Sequence, residues 1–409
     1  MASASRLGAS RLAPAGRVGV TDRSHPGPLR ETIAIAAAVR HFLDPGRHPP
    51  DWSGTDPDKT LRIAIAHAVV PIVFRASCDT PEVAGHFRAA ALADSRFDLA
   101  LSAELCTLAE ILGDGGIAFI TLKGPALSRR LYGDPGIRAS ADLDILVRPG
   151  DLLAARDLLS RNGYDIVGAL HWDSDSACMR SRECELLMEH RERGITIDLH
   201  WRILPSYFAS PFDRFEPWDS AMEVEIAGRR ILELSPEHLL LFLCAHAAKH
   251  AFERLGWICD IAACLGKNDF DVDKVYAMAR EGRTVRQLAL GIQVAAELLG
   301  APILYGHRRD RLVESLGREI IDRFLADGSL PTPERELIPM CMRMFDTTRH
   351  RLRYLAGHMR PSDAEYQALH LPPALHFLYY PFRPLRLASR FVGFRARREA
   401  AARRGANPT

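Results

Sequence analysis

No apolar run in this chain approaches the roughly 18 residues that cross a bilayer as a helix. The best stretch, Leu239 to Cys244, runs straight into His246, Lys249 and His250. Charge of one sign is not in excess either. The 53 Lys and Arg residues stand against 51 Asp and Glu, a net of +2, so no global polycation argues for nucleic acid. Eight cysteines are scattered without a Cys-x-x-Cys pair or a zinc-like grouping, and the nearest two are Cys259 and Cys264. That usage predicts buried thiols in a reducing, cytoplasmic compartment. The His-Glu-x-x-His signature of metalloproteases is missing, because Ala-Ala-Lys lies between His246 and His250, and so is any repeat of fixed period. A spanning channel, a zinc ribbon, a zinc protease and a solenoid are therefore all excluded as first readings.

What is present is an ordinary soluble composition, 47% hydrophobic and 25% charged over 409 residues, long enough for two or three cores. Residues 1–29 are rich in Ala, Ser, Gly and Arg, with Asp22 the sole acid. They lack the apolar centre of a secretory signal; a mitochondrial transit peptide would fit, and a disordered leader is the reading adopted. Residues 30–112 carry apolar positions at helical spacing. Pro45-Gly46 ends a first helix, Pro71 is expected to kink or split the run Leu61–Ala76, and a long helix follows from Pro81 to Leu112. Gly113-Asp114-Gly115-Gly116 breaks this pattern.

From 113 to 234 the texture is that of short strands alternating with helices. Strands are predicted at Ile117–Leu122, Asp142–Val147 and Tyr164–Val167, with hairpins pairing Glu183–His190 to Ile195–Trp201 and Met222–Ile226 to Arg230–Leu234. Ser235-Pro236-Glu237, an N-cap followed by proline in the first turn, opens a helical domain over 235–370, with helices near 236–251, 256–266, 271–281, 284–299 and 310–326. Residues 371–409 are rich in proline and aromatics and then in arginine, with eight arginines against Glu399 between Arg383 and Arg404. A solvated helix end is the expectation there, with Tyr379-Tyr380-Pro381-Phe382 docking on the helical domain.

The chemistry concentrates on two strands, Ala141-Asp142-Leu143-Asp144-Ile145-Leu146-Val147 and Gly194-Ile195-Thr196-Ile197-Asp198-Leu199-His200-Trp201. Side chains alternate along a strand, so Asp142 and Asp144 share one face while Leu143, Ile145 and Val147 point into a core. Two carboxylates so close repel each other unless a cation lies between them. Asp198 from the second strand would complete a hard, oxygen-only site for Mg²⁺ or Mn²⁺. His200 falls on the same face as Asp198, over the same pocket, as a substrate contact, a partner of an acid or a structural imidazole. An Asp-x-Asp pair also holds the metal–sugar nucleotide of glycosyltransferases, but those need a far larger α/β unit before the pair than the about 25 residues of sheet-like sequence that precede it here.

Taken together, the motifs resemble the DNA polymerase beta superfamily of nucleotidyltransferases, and more closely its family of uncharacterised nucleotidyltransferases. The similar stretches are Leu122-Lys123-Gly124-Pro125-Ala126-Leu127, Tyr132 with Pro135, Arg138-x-x-x-Asp142-Leu143-Asp144-Ile145-Leu146-Val147, Ile197-Asp198-Leu199-His200-Trp201, His246-Ala-Ala-Lys249-His250 and Leu255-x-Trp257-x-x-Asp260. The resemblance implies an α+β fold: a mixed nucleotidyltransferase sheet flanked by amino-terminal helices and a carboxy-terminal helical domain. It implies transfer of a nucleoside monophosphate from a nucleoside triphosphate, with ATP the expected donor, to a hydroxyl of a small-molecule or protein acceptor. Asp142, Asp144 and Asp198 would be the catalytic, metal-holding acids, with Lys123, Gly124, Arg138 and Ser140 at the nucleotide. A catalytically inactive nucleotide-binding scaffold of the same fold is the alternative.

The chain departs from the superfamily in carrying Lys123-Gly124 in place of Gly-Ser, with a longer interval of 18 positions from Gly124 to Asp142. Lys123 would act as a point charge on the triphosphate and Arg138 as a planar fork, an ion pair of Arg138 with Asp134 being the plainer role. Ser140 would donate near the site or cap a turn. His246 and His250, one helical turn apart, are read as structural or as contacts to nucleotide or acceptor, with Asp260 capping or pairing with them. Trp201 and Trp257 are assigned to the core.

Overall fold

In a computed structural model of the protein, residues 28–168, 183–306, 310–327, 334–361, 368–369, 371–383 and 385–386 are described. All of the leader but residues 28 and 29, and nearly all of the arginine-rich end, lie outside the described residues. Four helices come first: α1 (Arg30–Leu43), α2 (Pro57–Ala66), α3 (Val70–Ala76) and the long α4 (Pro81–Asp114). Pro71 splits the run as expected, the break falling just before it so that proline occupies the first turn of α3, where its missing N–H costs nothing. Asp56 caps α2, accepting the Lys59 N–H at 3.0 Å.

A seven-stranded mixed sheet follows, built from β1 (Phe119–Thr121), β2 (Leu143–Val147), β3 (Tyr164–Ile166), β4 (Glu185–His190), β5 (Thr196–His200), β6 (Met222–Ile226) and β7 (Arg229–Glu233). The spatial order is β3-β4-β5-β2-β1-β7-β6. Both hairpins read from the sequence are present as antiparallel pairs, β4 with β5 and β6 with β7. The pairings of β2 with β5 and β1 with β7 are parallel. Helix α5 (Gly124–Tyr132) links β1 to β2, and α6 (Leu152–Arg161) lies between β2 and β3.

The sheet separates two apolar clusters. Leu143, Ile145 and Val147 of β2 and Ile197 and Leu199 of β5 face one with α4 and α6. Leu146 and the helices after the sheet belong to the other. Those helices begin with α7 (Pro236–Lys249), α8 (Leu255–Lys267), α9 (Val272–Glu281), α10 (Val285–Leu299) and α11 (Arg311–Asp327). The second cluster also takes in Ile35 and Val39 of α1, so the first and last helical segments share one core. Two polar ties join them: Thr32 Oγ1 donates to the Leu325 carbonyl at 2.8 Å, and Arg40 Nε to the Leu298 carbonyl at 2.6 Å. Near the chain end Tyr379 is buried and its hydroxyl donates to the Leu369 carbonyl at 2.6 Å, whereas Tyr380 is exposed.

Helices α7 and α10 approach so closely at Gly291 that a methyl group there would lie 2.5 Å from Cys244 Sγ and 3.1 Å from its Cβ. Gly291→Ala is expected to force the two helices apart and destabilise the fold by about 1–3 kcal/mol. A thermal melt checks this, and an unchanged midpoint would show that the contact yields freely.

Candidate active site

Because β2 and β5 run parallel in register, Asp144 stands directly opposite Asp198, and Leu146 opposite His200. The alternation that sends Leu143 and Leu199 to one core sends these acids to the other face, toward α7 and α8. Asp142 immediately precedes β2 and opens onto the same space. All three line a cavity of about 370 Å³ between the sheet and those helices, together with Glu185 and His200 from the sheet and Lys249, Arg254 and Trp257 from the helical side. Donor atoms of Asp144, Asp198 and His200 lie within 4.8 Å of one another. Asp142 lines the cavity without joining that tight trio.

The electrostatics follow from this crowding. Asp144 is buried, with Lys123 Nζ 2.9 Å and His200 Nε2 3.2 Å from its Oδ1. Burial favours its protonated form, but Lys123 and His200 outweigh that and hold the carboxyl well below its usual range. For Asp198 the nearby His200 is outweighed: burial, then the charges of Asp144, Glu185 and Asp142, push it up to about 7. Burial and the Asp144 charge raise Asp142 as well. For His200, burial works toward the neutral ring, yet Glu185 at 3.4 Å and Asp144 keep it well above its usual value. Its Nδ1 lies 3.1 Å from the Arg202 carbonyl, which fixes the ring and leaves Nε2 to the carboxylates.

Like charges compressed in this way form a donor set that suits a divalent cation. Carboxylate oxygens of Asp144 and Asp198, with Asp142 lining the same cavity, are the hard ligands Mg²⁺ or Mn²⁺ takes.

The other expected residues fall around this centre. Lys123, Arg138 and Ser140 line the cavity. Gly124 is not among its lining residues; it turns the chain into α5 with φ +77°, where an added Cβ would meet Leu143 Cδ2 at 3.3 Å. Arg138 does not pair with Asp134, which Arg75 holds at 2.7 Å. Its Nε instead meets the buried Asp260 at 2.8 Å, and Asp260 also accepts the Tyr132 hydroxyl at 2.7 Å. Asp260 is thereby spoken for, and its expected pairing with the histidines is corrected. Ser140 Oγ closes a turn, donating to the Arg138 carbonyl at 3.1 Å and accepting from Arg138 Nη1 at 3.3 Å.

His246 and His250 both face the cavity, their rings 5.0 Å apart and each against Trp257. Burial and neighbouring cations, Lys249 foremost for His250, hold both rings neutral, with His250 down to about 2. Trp201 is in the core at 2% exposure; Trp257, assigned there too, is half-buried on the cavity wall.

Glu185, Lys249 and Arg254 line the cavity and are given no role by the sequence reading. Glu185 lies opposite His200 in the β4–β5 hairpin, a placement that only the exact register reveals. Lys249 sits inside the His-Ala-Ala-Lys-His stretch but draws no notice beside two histidines.

Asp98 on α4 supports the loop before β2, accepting the Ser140 N–H on Oδ1 at 3.3 Å while its Oδ2 is buried without a partner. Burial raises its pKa to about 7 from 3.8. A carboxyl raised on folding stabilises fully below its unfolded value and loses that contribution as pH climbs through the folded one. Asp98→Asn is therefore expected to gain about 3 kcal/mol of stability at pH 8, a gain that vanishes near pH 4. Melts at the two pH values check this; an equal difference at both would contradict it.

A mixed sheet with carboxylates facing each other across parallel strands, at the floor of a polar cavity roofed by helices, is the arrangement of an α+β nucleotidyltransferase. The chain belongs to the family described as uncharacterised nucleotidyltransferase, which it matches over residues 53–300. Among solved structures it is similar to the antibiotic-resistance factor ANT(2'')-Ia, with 13% identity, 46% of this chain and 92% of that one covered, and a TM-score of 0.33. It is also similar to an antigenic nucleotidyltransferase-like protein from Paracoccidioides brasiliensis, with 18% identity, coverage of 50% and 93%, and a TM-score of 0.29. No curated protein matches. Among the described residues no helix is long and apolar enough to cross a membrane.

Proposed function

We propose that this nucleotidyltransferase moves a nucleoside monophosphate from a nucleoside triphosphate, ATP first among them, to a hydroxyl of a small-molecule or protein acceptor. The observation that carries the reading is the register of β2 and β5, which sets Asp144 across from Asp198 with Asp142 beside them. In this reading the acceptor oxygen bonds to the α-phosphorus. The bond from that phosphorus to the bridging oxygen breaks, and pyrophosphate leaves with the electron pair. Asp198 takes the acceptor proton.

Asp142, Asp144 and Asp198 would hold Mg²⁺ or Mn²⁺, which supplies charge stabilisation to the entering and leaving oxygens. Lys123, Arg138 and Ser140 face the nucleotide, and Gly124 sets the turn that aims α5. His200, fixed on the Arg202 carbonyl, orients Asp144. His246 on α7 and His250 at its end contact the nucleotide or the acceptor.

The test incubates the protein with each α-³²P-labelled triphosphate, Mg²⁺ and a cell lysate as the source of acceptor. Label on a product that needs both protein and Mg²⁺ is the expected result. No labelled product with any of the four triphosphates would overturn the proposal.

A further inference from the structure

Four Lys and Arg side chains line the cavity, and two of them touch none of its acids. Lys123 is engaged by Asp144 at 2.9 Å and Arg138 by Asp260 at 2.8 Å. On the helical side, Lys249 ends α7 and Arg254 precedes α8. Both line the cavity and both are half-buried. Among the described residues neither side chain has a hydrogen bond or an ion pair, although ion pairs tie down cations elsewhere on the surface. Arg254 lies over the Trp257 ring with its guanidinium carbon 5.3 Å from the centroid. That contact holds the fork in place while leaving its N–H groups to another partner.

No carboxylate touches either group; Glu185 and Asp144 balance the Lys249 ammonium only through space, so the N–H donors of both are left for an arriving anion. The anion must fit a space whose opposite side is carboxylate, which a simple acid would find repulsive. A polyphosphate chain fits both: one end shares a cation with the acids, the other reaches the bases. His246 and His250, packed between these cations, stay neutral and so add no competing charge.

We propose that Lys249 and Arg254 form the subsite for the terminal phosphates of the donor, the part released as pyrophosphate, an assignment that rests on the nucleotidyl-transfer reading of the cavity. It gives the helical domain a direct hold on the leaving group. It also accounts for a turn at Lys123-Gly124 in which the lysine is already occupied by Asp144.

The experiment measures binding of inorganic tripolyphosphate with Mg²⁺ by calorimetry to the full chain and to Lys249→Met, Arg254→Gln and the exposed control Arg62→Gln. Melts confirm that each variant is folded. Removing a charge-assisted contact is expected to weaken binding about 10-fold or more for each of the first two variants, with the control unchanged. Wild-type affinity in Lys249→Met and Arg254→Gln, or no binding by the wild type, would overturn the assignment. Should Lys249→Met fail to fold, Arg254→Gln decides alone. Tripolyphosphate held through these residues in a protein that labels no product would leave the subsite standing and remove the transfer reaction. Labelled product with unaltered binding in both variants would do the reverse.

Discussion

Asp144→Asn should reduce transfer of labelled nucleotide by about 10³-fold or more while leaving the fold intact. The size follows from position. Asp144 is the most enclosed of the three acids, 3% exposed, in contact with Lys123 and His200 and facing Asp198 across the strand pair. Asparagine keeps the shape but removes the charge that would grip a cation and balance two bases. A bound divalent ion contributes several kcal/mol to such a transition state, and about 4 kcal/mol corresponds to three decades of rate. The measurement is the initial rate of product labelling beside a melt of the same variant. Retention of more than a tenth of the wild-type rate would take Asp144 out of the mechanism.

Asp260→Ala carries the second large effect, on stability. Asp260 is 1% exposed and receives both Arg138 Nε and the Tyr132 hydroxyl. Burial alone would ease the proton off Arg138, but Asp260 overrides this and keeps the guanidinium more firmly charged than usual. Removing one partner of a buried pair leaves the other charge uncompensated, which costs about 3–5 kcal/mol and should lower the melting midpoint by about 5–10 °C. The double variant Arg138→Met with Asp260→Met should lose less than Asp260→Ala alone, since no charge is then stranded. The lesion also reaches function. Arg138 lies four residues before Asp142 and anchors that approach to α8, so the surviving folded fraction should transfer more slowly. A melt within 1 °C of wild type would show that the pair holds nothing in place.

Much of this architecture was legible in the chain because local signals agreed with the global outcome. Apolar residues at helical spacing, Ser235 with Pro236, and the glycine breaks at 113–116 bounded the elements closely. Period-two alternation in residues 142–147 and 195–201 named the acids and the face they share. Register was the hidden quantity. Nothing local says that Asp144 pairs with Asp198 rather than with residue 196 or 200, and the answer comes from burying Leu143, Ile145, Ile197 and Leu199 against the same helices. Glu185 entered the cavity by the same rule and so went unread.

Long-range polar partners were equally opaque. Arg138 chose Asp260, 122 residues away, over the adjacent Asp134, because a fold-level contact between α8 and the loop before β2 decides the matter. Lys249 and Arg254 became notable only as cavity bases that touch no acid.

The most direct test of the account soaks crystals with Mn²⁺ and a non-hydrolysable ATP analogue and records the anomalous difference map. A peak within ligand distance of Asp142, Asp144 and Asp198, with the phosphate chain running from it toward Lys249 and Arg254, is the expected result. Metal bound elsewhere, with these three carboxylates bare and nucleotide present in the crystal, would contradict it.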